Sequence, residues 1–278
     1  MKLGILTSIE TRHRYFANAL RAGFDVVAIG YEEVGYRPAA VSTAGLSAEE
    51  AEIFERHFSE RDCQEQRYFG HDSAFVNSDG RCRIRHIPPG TLNTDETLAF
   101  LRGGGPTGEA RSDPVDAVAV YGTSLIKAPL LGCWPGRMLN LHLGLSPYYR
   151  GTATNFYPLL YDEPEYVGAT VHLIDAGVDS GPILRHARPD IVGDDTPHTI
   201  GCKAILAGTA AMIRVLGELD AGTITPVPQW HVPDARVCLR KDYHPRQVIE
   251  LYSRIDEGMI PRYVDRAPRV AGRVRLVL

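Results

Sequence analysis

An amide, two imidazoles and a carboxylate are the side chains of this sequence best suited to do chemistry together. Asn140 and His142 stand two residues apart in an otherwise apolar stretch, residues 138–143, which predicts a buried strand with both polar side chains on one face. His172 lies in a second predicted strand, and a glycine-rich turn then leads to Asp179. Such a set could stabilise an oxyanion, move a proton and orient the group that carries it.

The placement of these groups favours a catalytic site over a structural one. A single buried histidine is most often a core residue satisfied by the backbone, but Asn140 and His142 buried on one face are costly unless they are used. Asp179 follows a strand end, where ligands bind in open α/β sheets, and it is the predicted partner of the His142 imidazole. We interpret His172 as a supporting or core residue, because its strand is predicted to be buried.

The segment from about residue 116 to residue 191 resembles the catalytic core of the folate-dependent formyltransferases. This is the family of glycinamide ribonucleotide transformylase, methionyl-tRNA formyltransferase and the sugar-nucleotide N-formyltransferases. Its pattern is an Asn and a His two apart, a Ser-Leu-Leu-Pro loop, a Tyr-Arg-Gly, and a His strand leading to Asp-x-Gly. The matching elements here are Asn140 and His142, Leu-Gly-Leu-Ser-Pro at 143–147 in place of the usual loop, Tyr-Arg-Gly at 149–151, His172, and Asp-Ser-Gly at 179–181.

The resemblance implies transfer of a formyl group from 10-formyltetrahydrofolate to an amine, without a metal. Asn140 would donate to the oxyanion of the tetrahedral intermediate, His142 would carry the proton, and Asp179 would orient the imidazole. Whether His142 acts as a base or as a cationic oxyanion stabiliser is left open. The resemblance also places the pterin against the backbone of two loops, which here are Ser124, Leu125, Ile126 and Lys127, and Asp175, Ala176, Gly177 and Val178.

The first predicted strand is followed by a turn that offers contacts for the acceptor. Residues 7–11 lack the Gly-x-Gly-x-x-Gly fingerprint, which disfavours a dinucleotide cofactor. They open a predicted helix over residues 12–21, whose N-terminal amides could hold an anionic group. We therefore name Ser8, Arg12 and His13 as candidate acceptor contacts, with an ordinary capped surface turn as the alternative.

Strand and helix patterns predict a doubly wound, mostly parallel α/β sheet, Rossmann-like, with a short C-terminal extension. Residues 3–6, 26–29, 117–121 and 138–142 read as parallel strands separated by helical stretches. We expect a catalytic domain over residues 1–220 and an extension over residues 221–278. The charged stretch 46–69 predicts a surface helix with one apolar stripe, with an acceptor-specific lid or an oligomer contact as the alternatives.

Composition limits the partners and the location. The chain has 278 residues and a formal net charge of -4, which gives no general attraction to nucleic acid but leaves a local basic patch open. Five scattered cysteines without a Cys-x-x-Cys spacing argue for reduced cytoplasmic thiols, and the apolar runs are too short to predict a membrane span. The oligomeric state is left open, with a homodimer as one option.

Three functions fit the sequence. The first is an N-formyltransferase acting on a small-molecule amine, which would be an amino sugar nucleotide, an amino acid or a natural-product intermediate. The second is a methionyl-tRNA formyltransferase with a reduced C-terminal region, supported by the arginines of the tail and weakened by its shortness. The third is a formyltetrahydrofolate hydrolase or a non-catalytic folate binder.

Overall fold

A seven-stranded sheet forms the centre of the molecule. The computed structural model describes residues 1–34, 43–76, 81–104 and 113–278. The sheet has the order β3-β2-β1-β4-β5-β7-β8. The first five strands are parallel to one another, β7 is antiparallel to β5, and β8 is antiparallel to β7. Its strands are β1 (Lys2–Ser8), β2 (Asp25–Glu32), β3 (Arg83–Ile87), β4 (Ala117–Tyr121), β5 (Met138–His142), β7 (Ala169–Leu173) and β8 (Ile183–Ala187). The doubly wound α/β prediction is confirmed.

Seven α-helices and a small second sheet complete the described part of the chain. The small sheet pairs β6 (Tyr149–Gly151) with β9 (Arg236–Cys238) in parallel. Neither strand was predicted, because three-residue strands carry no readable alternation. The helices are α1 (Thr11–Gly23), α2 (Ala48–Phe69), α3 (Asp95–Leu101), α4 (Phe156–Leu160), α5 (Pro197–Asp220), α6 (Pro245–Asp256) and α7 (Met259–Val270).

Helices cover both faces of the sheet, and the carboxyl ends of β4 and β5 border a cavity. The long helix α5 and helix α1 pack on one face, and α3 packs on the other. Thr196 caps α5 through the backbone N–H of Thr199. By length and composition α5 could also span a membrane, but 56% of its most apolar window is buried in this fold. Its apolar composition is therefore what packing against the sheet requires.

Helix α2 has the predicted single apolar stripe, and its charged side chains other than Glu65 are exposed or half-buried. Its apolar stripe is buried through Phe54, Phe58 and Phe69, which pack against α6 on one side and α5 on the other. Glu50 and Ser47 form a capping box at its start. Because α2 packs against two other helices, a charged side chain on the packed face is buried and needs a partner.

The C-terminal segment is fixed to the sheet by a neutral histidine. The ring of His186, on β8, donates from Nε2 to the Ser146 carbonyl oxygen at 2.8 Å, and its Nδ1 accepts from the N–H of Val277 at 2.9 Å. Burial lowers the pKa of His186 to about 4. Protonation of Nδ1 would break the bond to Val277, so the neutral tautomer is part of the fold.

We expect acid to destabilise the protein well above the usual carboxylate range. The pKa of His186 is lowered in the folded state, so its contribution is complete above pH 6.5 and is lost as the pH falls toward 4, by up to about 3 kcal/mol. Denaturant unfolding at pH 7 and pH 4.5 measures the difference. The His186→Gln variant should show a smaller difference between the two pH values, and an unchanged one would contradict this account.

Candidate active site

Pairing between β5 and β7 brings the predicted amide and both imidazoles to one place. Asn140 stands opposite His172, and His142 stands opposite Thr170 in the antiparallel register. Asn140 Nδ2 lies 3.2 Å from His172 Nε2. The ring centroids of His142 and His172 are 6.4 Å apart. The two predicted strands therefore form one polar patch at the edge of a cavity.

Asp179 connects these groups. Its Oδ1 lies 3.3 Å from Asn140 Nδ2 and 3.4 Å from His172 Nε2, and its Oδ2 lies 3.3 Å from His142 Nδ1. The backbone N–H of Gly151 donates to Oδ2 at 2.9 Å. Burial by itself would raise the pKa of this carboxyl, but the neighbouring imidazoles and the Gly151 bond hold it well below its usual range. Asp179 is therefore ionised at neutral pH.

Burial and hydrogen bonding act in opposite directions on His142. The side chain is almost completely buried, and this burial lowers its pKa, while Asp179 acts against the shift. Nε2 lies 3.0 Å from the Tyr149 carbonyl oxygen, and Nδ1 faces the carboxylate, so both ring nitrogens meet hydrogen-bond acceptors. A proton arriving at Nδ1 would gain a charge-assisted bond, which suits a base that is neutral at rest.

His172 takes a larger part than the sequence suggested. We expected a supporting or core residue, and it is indeed buried, but its Nε2 contacts both Asn140 and Asp179. Nδ1 lies 2.8 Å from the Leu173 carbonyl oxygen, to which it donates. The sequence placed His172 in a strand shortly before Asp179, but its contact with Asn140 follows from strand pairing.

Two residues outside the predicted set hold Asp179 in place. Asp179 has φ +47°, the left-handed region that a non-glycine residue rarely adopts. Gln229, in the C-terminal extension, donates from Nε2 to the carbonyl oxygens of Asp179 at 2.7 Å and Gly181 at 2.9 Å. Gly151 (φ +98°) lets β6 pass the Cys238 carbonyl oxygen of β9, which a Cβ would approach to 2.0 Å. The extension thus shapes the site, which residues 1–220 would not complete alone.

Removing the two donor bonds of Gln229 is expected to lower turnover about tenfold. The Gln229→Leu variant keeps the bulk but frees the Asp179 loop, and two ordinary hydrogen bonds are worth about 1 kcal/mol each. We expect kcat to fall while KM for the folate stays the same, measured by steady-state kinetics. An equal change in KM would indicate a direct contact with the folate instead of positioning.

The two loops predicted to hold the pterin both line the cavity, with part of their backbone already engaged. Ser124 N–H donates to Glu32 Oε2 at 2.7 Å, and Lys127 N–H donates to Asn93 Oδ1 at 2.6 Å. The Asp175 carboxylate accepts from the N–H of Gly177 at 3.0 Å. These bonds shape the loops. All eight predicted loop residues, 124–127 and 175–178, belong to its lining.

The three candidate acceptor contacts separate in the structure. Arg12 and His13 line the cavity from the start of α1. Ser8 is completely buried, and its hydroxyl donates to the Val34 carbonyl oxygen instead. Arg12 forms ion pairs with Glu10, beside the start of α1, and with Glu65 on α2.

One cavity of about 840 Å³ lies at the carboxyl ends of β4 and β5. Its lining includes the catalytic candidates, both predicted loops, Arg12, His13 and part of helix α2. Such a volume is at the upper end for a small-molecule site and suits two ligands side by side. Within the described residues, no cluster of three histidine, cysteine, aspartate or glutamate side chains could hold a metal ion.

Comparison with known proteins finds a formyl transferase domain in this chain. The formyl transferase family profile matches residues 109–216. A methionyl-tRNA formyltransferase from Microcystis aeruginosa is 32% identical over 145 residues, which cover 51% of this chain and 41% of that protein. The chain thus spans about two fifths of the length of this relative. The resemblance drawn from the motifs is confirmed.

Solved structures support the fold alone. A phosphoribosylglycinamide formyltransferase from Anaplasma phagocytophilum superposes with a TM-score of 0.54 at 15% identity, covering 86% of this chain and 97% of that one. A sugar N-formyltransferase from a Shewanella species gives a TM-score of 0.53 at 15% identity, covering 87% and 78%. These matches extend the likeness of architecture well beyond residues 109–216.

Proposed function

We propose that the protein transfers a formyl group from 10-formyltetrahydrofolate to the primary amine of a small molecule. The observation that carries the proposal is the network of Asn140, His142 and Asp179 in the wall of the cavity. The catalytic region would be residues 1–220, completed by the extension over residues 221–278. The five free thiols suit a cytoplasmic setting.

The bound folate would supply the formyl group, and the residues of the chain would manage charge and protons. Asn140 Nδ2 has two hydrogens, and in this structure both have neighbours, Asp179 and His172. Donation to an oxyanion therefore requires exchange of one of these bonds. His142 would hold the proton lost by the amine at Nδ1, where Asp179 stabilises the resulting imidazolium.

We assign the folate to the part of the cavity lined by 124–127 and 175–178. The first of these loops is pre-shaped by Glu32 and Asn93, whose side chains accept from the N–H groups of Ser124 and Lys127. Backbone recognition suits a flat heterocycle with donors and acceptors along one edge.

The test is release of tetrahydrofolate by the purified chain, followed by absorbance, with amines and bulk tRNA as separate acceptors. Release that depends on one small amine supports the proposal. The names of the relatives favour methionyl-tRNA as the second candidate acceptor, and release only with charged methionyl-tRNA would select it. Release without any acceptor would indicate a hydrolase.

The arginines of the C-terminal tail make contacts within the fold, and these contacts argue against tRNA as the acceptor. Arg266 pairs with Asp162 at 3.0 Å, and Arg275 stacks over the Trp230 ring at 4.2 Å. Arg262 donates to the Glu257 carbonyl oxygen. Three of the five arginines that suggested a basic surface thus have partners within the fold, which supports a small-molecule acceptor over a polyanion.

A further inference from the structure

A second part of the cavity wall is built from three helices and one strand end. We call it the α2 lobe; it comprises Glu10, Arg12 and His13 at the start of α1, His57, Phe58, Arg61 and Glu65 on α2, Tyr121 at the end of β4, and His198 and Cys202 on α5. Tyr121 comes directly after Val120, which pairs with Asn140. The lobe therefore opens onto the catalytic candidates.

Three buried polar atoms of the α2 lobe make no hydrogen bond: Tyr121 OH, His13 Nδ1 and His57 Nδ1. Their side chains belong to residues only 3%, 4% and 8% exposed. His13 Nδ1 lies 3.8 Å from a Glu10 carboxylate oxygen, beyond hydrogen-bond distance. Leaving such a group unsatisfied costs about 1 to 3 kcal/mol, and three together mark a place where a ligand or its waters complete the hydrogen bonding.

These groups are uncharged. Burial lowers the pKa of His57 to about 3 and that of His198 to about 4, with their ring centroids 4.5 Å apart. Burial also lowers the pKa of His13 and raises that of Tyr121. At neutral pH this part of the lobe offers neutral donors and acceptors, which match hydroxyl and amide groups.

Both guanidinium groups of the lobe have carboxylate partners. Arg12 is held between Glu10 and Glu65, and Arg61 pairs with Asp62 at 2.7 Å and lies 3.9 Å from Glu65. Three carboxylates thus surround two guanidinium groups. Glu10 also stands beside the N-terminus of α1, the position that would otherwise attract an anion. A phosphate entering here would have to displace a buried carboxylate from Arg12.

We infer that the α2 lobe is the acceptor subsite and that it selects a compact amine bearing hydroxyl or amide groups and no phosphate. This inference rests on the proposed formyl transfer and narrows its acceptor class, against nucleotide-linked amino sugars. Helix α2 supplies the selectivity through Glu65, which keeps Arg12 neutralised.

A matched pair of acceptors tests the inference: an amino sugar as its methyl glycoside, and the same amino sugar as a nucleoside diphosphate conjugate. We expect kcat/KM of the full chain to be at least about tenfold higher for the glycoside. The Glu65→Gln variant should reduce this ratio several-fold by leaving Arg12 undercompensated. Glu55→Gln, on the exposed side of the same helix, is the matched control and should leave the ratio unchanged.

The outcomes separate the inference from the proposed function. A conjugate used as well as or better than the glycoside would overturn the inference while formyl transfer stands. A ratio unaffected by Glu65→Gln would remove the role of α2. Tetrahydrofolate release with tRNA or water alone, and with neither sugar, would overturn the small-molecule proposal itself.

Discussion

Replacing His142 by alanine is expected to lower kcat by about 10²-fold to 10⁴-fold, the usual contribution of a general acid or base. The variant loses the only imidazole that lies between Asp179 and the Tyr149 carbonyl oxygen, 3.3 Å and 3.0 Å away. Affinity for tetrahydrofolate should stay nearly the same, because the proposed folate contacts come from the backbone of residues 124–127 and 175–178. Single-turnover kinetics and equilibrium binding of tetrahydrofolate measure the two quantities separately.

His186→Gln serves as the control, because it replaces a second buried histidine outside the catalytic network. It should leave kcat close to that of the unaltered protein at pH 7. Loss of binding and turnover in equal measure in the His142→Ala variant would mean that His142 supports the shape of the cavity and not the proton transfer.

The Asp179→Asn variant should lose at least about 10²-fold in kcat and should shift the pH profile in a defined direction. The carboxylate raises the pKa of His142 against the stronger lowering by burial. Its removal should therefore lower the pKa of His142 further, and the acid limb of kcat/KM should move to lower pH. Steady-state rates between pH 4.5 and pH 8 give the profile.

The shape of the pH profile distinguishes the two roles left open for His142. A base works in its neutral form, so activity rises with pH through the pKa and then stays constant. A cationic stabiliser would instead lose activity as the pH rises through the same pKa. Burial of His142, which disfavours the charged form, supports the base.

The antiparallel edge of the sheet shows where sequence reasoning was sufficient and where it was not. Alternation predicted β5 and β7 and the face that carries Asn140 and His142, because side-chain direction in a strand depends on the local backbone alone. The pairing of Asn140 with His172 depends on which strands are neighbours and in which register. That choice is made by packing across the whole sheet, and no local pattern records it.

Helix α2 also shows that a local pattern does not record long-range contacts. Its periodicity predicted a helix correctly, but its charges suggested solvent, whereas Glu65 is buried against Arg12, 53 residues away along the chain. The positioning roles of Gln229, Glu32 and Asn93 were missed for a related reason. Gln229 and Asn93 lie in irregular segments and Glu32 ends a strand, so none belongs to a periodic pattern that marks its role, and only their contacts identify them.

The sequence by itself predicted the resemblance to the folate-dependent formyltransferases, the doubly wound sheet and the three residues proposed to carry the chemistry. These properties depend on local spacing, and local spacing is what short motifs preserve. Tertiary structure alone decided that His172 joins the network, that the C-terminal extension holds Asp179, and that α2 lines the cavity. The physical reason is that burial and long-range contact, which give these side chains their partners and their pKa values, exist only once distant segments have packed together.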